Sequence, residues 1–161
     1  MFKLFKPRPH DNAAPRQAMA EVDQSRPDDS LAAITAAARE LDLEVAIAAH
    51  ENWKTRLSAY IRGNSVEDLS PERICQDNQC DLGRWLYSER TNHLHHTVAY
   101  QYLLAQHKMF HYTASSVVAL YQSDQGDQAG ELLRTKFAHL SGNIKRTLED
   151  MKLLARLGQR S

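Results

Sequence analysis

The chain has 161 residues, enough for one core of ordinary size plus a tail and too few for an added catalytic domain, because single cores take about 100 to 150 residues. Twenty Lys and Arg balance 20 Asp and Glu, which excludes a bulk cationic field for nucleic acid or anionic membrane. Two cysteines, Cys75 and Cys80, form no disulfide framework; without a secretory leader they point to a reducing, cytoplasmic setting where thiols act as ligands or sensors. No stretch approaches the ~18 uncharged apolar residues of a membrane span.

Four of the five prolines, Pro7, Pro9, Pro15 and Pro27, lie near the N-terminus among apolar residues that follow no period, so residues 1–29 read as a flexible arm. Residues 30–161 read as a helical bundle. Asp28, Asp29 and Ser30 offer N-cap oxygens, and good helix formers continue from Leu31 to Gly63, which predicts one long first helix. Along it Leu43, Ile47, His50, Leu57 and Ile61 form an inward stripe, with Trp53 alongside. Ser70-Pro71-Glu72 predicts a short helix toward Cys75, which Gln76-Asp77-Asn78-Gln79 breaks, and a second short piece covers Asp81 to Tyr87.

A further long helix is expected from about His93 to Tyr121, with Tyr100, Leu103, His107, Phe110, His111, Ala114 and Val118 on one face. After the Ser123 to Gly126 turn, Leu133, Phe137, Leu140, Ile144, Leu148, Met151 and Leu154 predict a last helix of near-heptad spacing. No segment alternates as a strand does. The expected class is all-α: an antiparallel helical bundle of three long helices, with an elaborated connection that carries short helices.

Histidines at i and i+4 on one face place their imidazoles a turn apart, close enough to share a metal ion, and His107 and His111 meet that spacing. Taken alone, such a pair arises by chance. A third inward histidine, His50, stands on another long helix, and Cys80 lies in the connection that crosses the bundle. A His3Cys set is chemically complete for Zn²⁺, which favours four tetrahedral nitrogen and sulfur donors. Without an ion, each buried, unpartnered imidazole would cost roughly 1–3 kcal/mol. His93, His95 and His96 fall more than two helical turns from His107 and read as a solvated helix entrance.

The order of His50, then Cys80-Asp81-Leu82-Gly83-Arg84-Trp85, then His107-Lys108-Met109-Phe110-His111 resembles the chemoreceptor zinc-binding domain, over roughly residues 31 to 157. The resemblance implies zinc ligands at His50, Cys80, His107 and His111, and a sensory module for zinc or oxidants of the kind appended to cytoplasmic chemoreceptors or diguanylate cyclases. No methyl-accepting coiled coil or cyclase accompanies the bundle here, so the expected output, in chemotaxis or cyclase signalling, passes to a partner in trans. Gly83 is expected to let the backbone turn or pass close to the metal, and Trp85 to cover the site or simply pack in the core. Glu51 and Asp81 are candidates to orient ligands, with solvent-facing charge as the alternative. Cys75 reads as a small buried hydrophobe or a resolving thiol.

Other functional classes fit less well. A zinc hydrolase needs an open metal position, and Lys108, Met109 and Phe110 stand where a catalytic glutamate would be. A di-iron bundle needs inward carboxylates that the helical faces do not offer. A metal-independent helical adaptor is the remaining alternative. A homodimer is expected because Leu31, Ile34, Leu41 and Val45 prolong an apolar stripe at heptad-like spacing.

Overall fold

The computed structural model describes residues 27–158; the arm read over residues 1–29 falls outside them up to residue 26. The described residues form seven α-helices and no strand, as the periodicity requires. Helix α1 covers Pro27–Ala37 and runs into a 3-10 turn at Ala38–Glu40. The chain then leaves helical geometry at Leu41, and α2 begins afresh as Leu43–Ile61. The single long first helix is therefore two. Asp42 causes the restart: its side chain accepts the Val45 N–H at 3.0 Å, satisfying an otherwise orphan donor, and Glu44 sits at the positive end of the new helix. Helix α2 stops at Gly63, whose φ of 70° allows the Gly63 and Asn64 N–H groups to close back on Tyr60 and Ala59 in a Schellman motif.

The connection carries α3, Pro71–Ile74, capped by Ser70, and α4, Asp81–Leu86, capped by Cys80. A 3-10 segment at Glu89–Leu94 precedes α5, Val98–Gln122. Helix α5 starts later than His93, because Thr97 takes an extended conformation and accepts the Tyr100 N–H with its hydroxyl. The expected last helix consists of α6, Gly126–Leu132, a π turn at Leu133–Phe137, and α7, Ala138–Gly158. Ala129, Leu133 and Phe137 recur every four residues and all are buried. A π turn holds more than 3.6 residues, so this spacing stays in phase with the core where a regular helix would drift.

Helices α2, α5 and α7 pack on one another, α1 lies against α5 and α7, and α3 lies along α5. Leu57, Leu103, Phe110, Phe137, Ile144, Leu148 and Met151 are fully buried between them. Phe110 joins this core to the histidines: its ring centroid is 4.8 Å from that of Phe137 and 5.1 Å from that of His50. The apolar stripe assigned to a second copy is largely used within the chain. Ile34 is fully buried and Leu31 and Leu41 are partly buried, whereas Val45 remains exposed.

Candidate metal centre

His50 sits at mid-length on α2, and His107 and His111 lie one turn apart on α5, all three facing the core and at most 5% exposed. Their phase is that of the apolar stripes, so packing α2 on α5 brings the rings together. The centroid of His107 is 4.7 Å from that of His111 and 5.3 Å from that of His50. Cys80 arrives from the connection as the N-cap of α4, where its sulfur accepts the Gly83 N–H at 3.3 Å. The same sulfur lies 3.2 Å from His107 Nε2. One donor atom from each of His50, Cys80, His107 and His111 lies within 4.8 Å of the others.

Backbone carbonyls orient two of the rings. His50 Nδ1 donates to Ala46 O at 2.6 Å, and His111 Nδ1 donates to Ile74 O at 2.8 Å, a carbonyl at the end of α3 that has no partner within its own short helix. In each ring Nε2 is left as the lone-pair nitrogen. Burial lowers the His50 pKa to about 4, with a smaller contribution from His111 and opposition from the Ala46 hydrogen bond. Burial, then His111 and His50, lowers that of His107 to about 2. Burial also lowers that of His111, partly opposed by the Ile74 bond and the Asp77 carboxylate. The imidazoles are thus neutral at pH 7, the state in which histidine binds metal. Burial pushes the Cys80 thiol up, against the pull of the Gly83 N–H.

Two buried nitrogens, His107 Nδ1 and His111 Nε2, have no hydrogen-bond partner. A polar atom in that position costs roughly 1–3 kcal/mol unless something binds it. Tetrahedral zinc, with Zn–S near 2.3 Å and Zn–N near 2.0–2.1 Å, separates its donors by about 3.3–3.6 Å. The Cys80–His107 pair is already at 3.2 Å, and no two of the four donors are more than 4.8 Å apart. The residues present fit a zinc ion in donor type and in the neutral state of the three imidazoles, and the Cys80 thiol would lose its proton on binding.

Packing decides between the roles open to the companion residues. Gly83 does make a close approach, but to protein: a Cβ there would lie 1.8 Å from the Asp77 carbonyl oxygen. Trp85 is buried and its indole N–H donates to Ala37 O at 3.3 Å, which fastens the connection to the end of α1. Glu51 is exposed and pairs with Lys145 of α7, and exposed Asp81 pairs with Arg84. Both therefore face away from the histidines. Cys75 is half-buried rather than buried, its thiol donating to Glu72 O at 3.2 Å. His93, His95 and His96 are exposed, as expected of a solvated entrance.

The carboxylate that does face the site belongs to Asp77, whose Oδ2 is 3.8 Å from His107 Nδ1 and accepts the Tyr87 hydroxyl at 2.7 Å. Sequence reasoning treated its segment only as a helix break. The available signal was an acidic residue three positions before the candidate ligand Cys80.

No curated protein and no solved structure matches the chain. A family model does match, over a narrower span than the resemblance suggested, leaving α1, α6 and α7 outside it. That span, residues 50–118, begins at His50, includes Cys80, His107 and His111, and matches the model of the chemoreceptor zinc-binding domain.

Proposed function

We propose that the chain is a regulatory zinc-binding module with His50, Cys80, His107 and His111 as the ligands. The observation that carries this reading is the convergence of four neutral or ionisable donors on one buried point where His111 Nε2 has no protein partner. Bound zinc would hold the Cys80 sulfur as thiolate. The chain's own contribution is orientation: Ala46 O and Ile74 O fix two imidazoles with Nε2 free, and the α4 cap holds the sulfur. Four protein ligands leave no open position for water, which disfavours hydrolysis. Elemental analysis tests the assignment. One zinc per chain is expected in the wild type, lost in His107→Ala and retained in His93→Ala; a zinc-free wild type, or the opposite pattern in the variants, refutes it.

In this reading α2, α5 and α7 form an antiparallel bundle, and the connection that bears Cys80 is its responsive part. Loss of zinc, or oxidation of the Cys80 thiolate by hypochlorous acid to a sulfenic acid with release of chloride, weakens one corner of the site. The altered packing is then read in trans by a cytoplasmic chemoreceptor or diguanylate cyclase. No helix among the described residues is long and apolar enough to cross a membrane. A homodimer belongs to the same proposal. Exposed apolar positions that a second copy would cover are Val45 and, along α5, Val98, Tyr102, Met109 and Tyr112. Sedimentation equilibrium at micromolar concentration should give a dimer, and a monomer alone would remove that element. A metal-independent adaptor would leave buried His111 Nε2 without a ligand.

A further inference from the structure

We infer that Asp77 is a positioning residue for the metal centre: its carboxylate holds His107 as the Nδ1–H tautomer, presenting Nε2 to the metal, and Tyr87 and Gly83 hold the carboxylate in place. The inference rests on the zinc reading of the site and adds a residue and a route to the surface.

A neutral imidazole carries one N–H, and the surrounding acceptors decide which nitrogen bears it. His50 and His111 have that choice made by backbone carbonyls. His107 does not. Its Nε2 faces the Cys80 sulfur at 3.2 Å, while its Nδ1 is buried and unpartnered. The acceptor facing Nδ1 is Asp77 Oδ2, at 3.8 Å, on a side chain only 17% exposed. A carboxylate there favours the proton on Nδ1. The other tautomer would set the Nδ1 lone pair against an anion and direct an N–H at the donor cluster. A movement of about 1 Å closes this contact to an ordinary charge-assisted hydrogen bond.

Two features locate Asp77 independently of the histidine. The Tyr87 hydroxyl donates to Oδ2 at 2.7 Å, and the Asp77 backbone rests against Gly83, where a Cβ would overlap it. Tyr87 is 45% exposed, and the Lys108 ammonium lies 5.6 Å from its ring centre. The order His107, Asp77, Tyr87 therefore runs from the buried donors to the surface, and a change at the metal alters the partners of an exposed phenol.

The test separates tautomer from metal affinity. Long-range ¹H–¹⁵N NMR of the zinc-free chain should show His107 as Nδ1–H in the wild type and as a mixture, or as Nε2–H, in Asp77→Ala. Zinc affinity, measured by competition with a chromophoric chelator, should fall about 10- to 100-fold in Asp77→Ala. Asp77→Asn should recover most of it, since the amide oxygen accepts the same bond. A merely structural role would lower stability without moving the tautomer signal. An unchanged tautomer, or zinc affinity within twofold of wild type, overturns the inference. Should Asp77→Ala not fold, Tyr87→Phe decides: a loss of about two- to tenfold in zinc affinity with a shifted His107 Nδ1 signal is expected, and no change in either refutes it. Absence of zinc binding by the wild type would overturn the metal reading, and the tautomer measurement, made without metal, would still decide the role of Asp77.

Discussion

Replacing Gly83 by alanine sets two effects of opposite sign against each other. Gly83 lies inside α4, where alanine is favoured over glycine by about 1 kcal/mol on helix propensity. The added Cβ, however, would stand 1.8 Å from Asp77 O, 2.9 Å from its carbonyl carbon and 3.0 Å from Asn78 Cα. These are backbone atoms, so no side-chain rotation relieves the overlap, and the Asp77–Asn78 segment must retreat by about 1.5 Å. Forced displacement of packed structure costs about 1–3 kcal/mol. The retreat also strains the Tyr87–Asp77 hydrogen bond, which at its partly exposed position is worth about 1.5 kcal/mol. Subtracting the propensity gain leaves a net loss of about 2 kcal/mol. For a domain of this size that lowers the melting temperature by roughly 5–10 °C. Urea unfolding followed by circular dichroism, with excess zinc and with chelator, measures it. The loss should be larger with zinc, because the displaced segment leads directly into Cys80. A variant as stable as the wild type would show that the close approach does not constrain this position.

Zinc chelation should lower the melting temperature while leaving helix content largely intact, because the apolar faces of α2, α5 and α7 remain packed; hydrogen exchange should rise first over residues 65–90, and uniform protection there would contradict this. In the zinc-free chain the His50 pKa lies near 4, below its unfolded value near 6.5, so between these pH values the unfolded state binds the extra proton. Stability should therefore be constant above about pH 6.5 and fall as pH drops toward 4, by about 3 kcal/mol from His50 alone; a pH series of urea midpoints checks it, and a flat profile refutes it. In the zinc-loaded chain, a brief substoichiometric hypochlorous acid pulse should oxidise Cys80 before Cys75, because a thiolate outruns a thiol. Mass spectrometry showing Cys75 modified first, with zinc retained, would eliminate the redox switch and leave zinc binding untouched.

The helical class and the three inward histidines were legible in the chain alone, for one physical reason. The period that aligns Leu43, Ile47 and Leu57 on α2, and Leu103, Phe110 and Ala114 on α5, also carries His50, His107 and His111, so a polar residue in core phase is visible before any packing is known. Cys80 lies outside any period and was legible through ligand chemistry and the Leu-Gly-x-Trp companions. Features governed by weak local preference were not. Asp42 restarts a helix within a run of good helix formers, Thr97 delays α5, and a π turn holds Ala129, Leu133 and Phe137 in phase. Each differs from an uninterrupted helix by only about a cap or a turn, and tertiary contacts decide between them.

Contacts between segments without a period were decided by the tertiary structure alone. Sequence adjacency left Glu51 and Asp81 open between orienting the ligands and facing solvent, and packing decided for solvent in both. Asp77, in a stretch without helical phase, faces His107 thirty residues away because Gly83 admits its backbone and Tyr87 holds its oxygen. Ile34 likewise reads as a free apolar position until α1 folds onto α5 and α7 and buries it. Side-chain phase within one helix follows from backbone geometry that every residue shares. Which surfaces meet depends on where two segments are brought by all the others, and no local pattern encodes that.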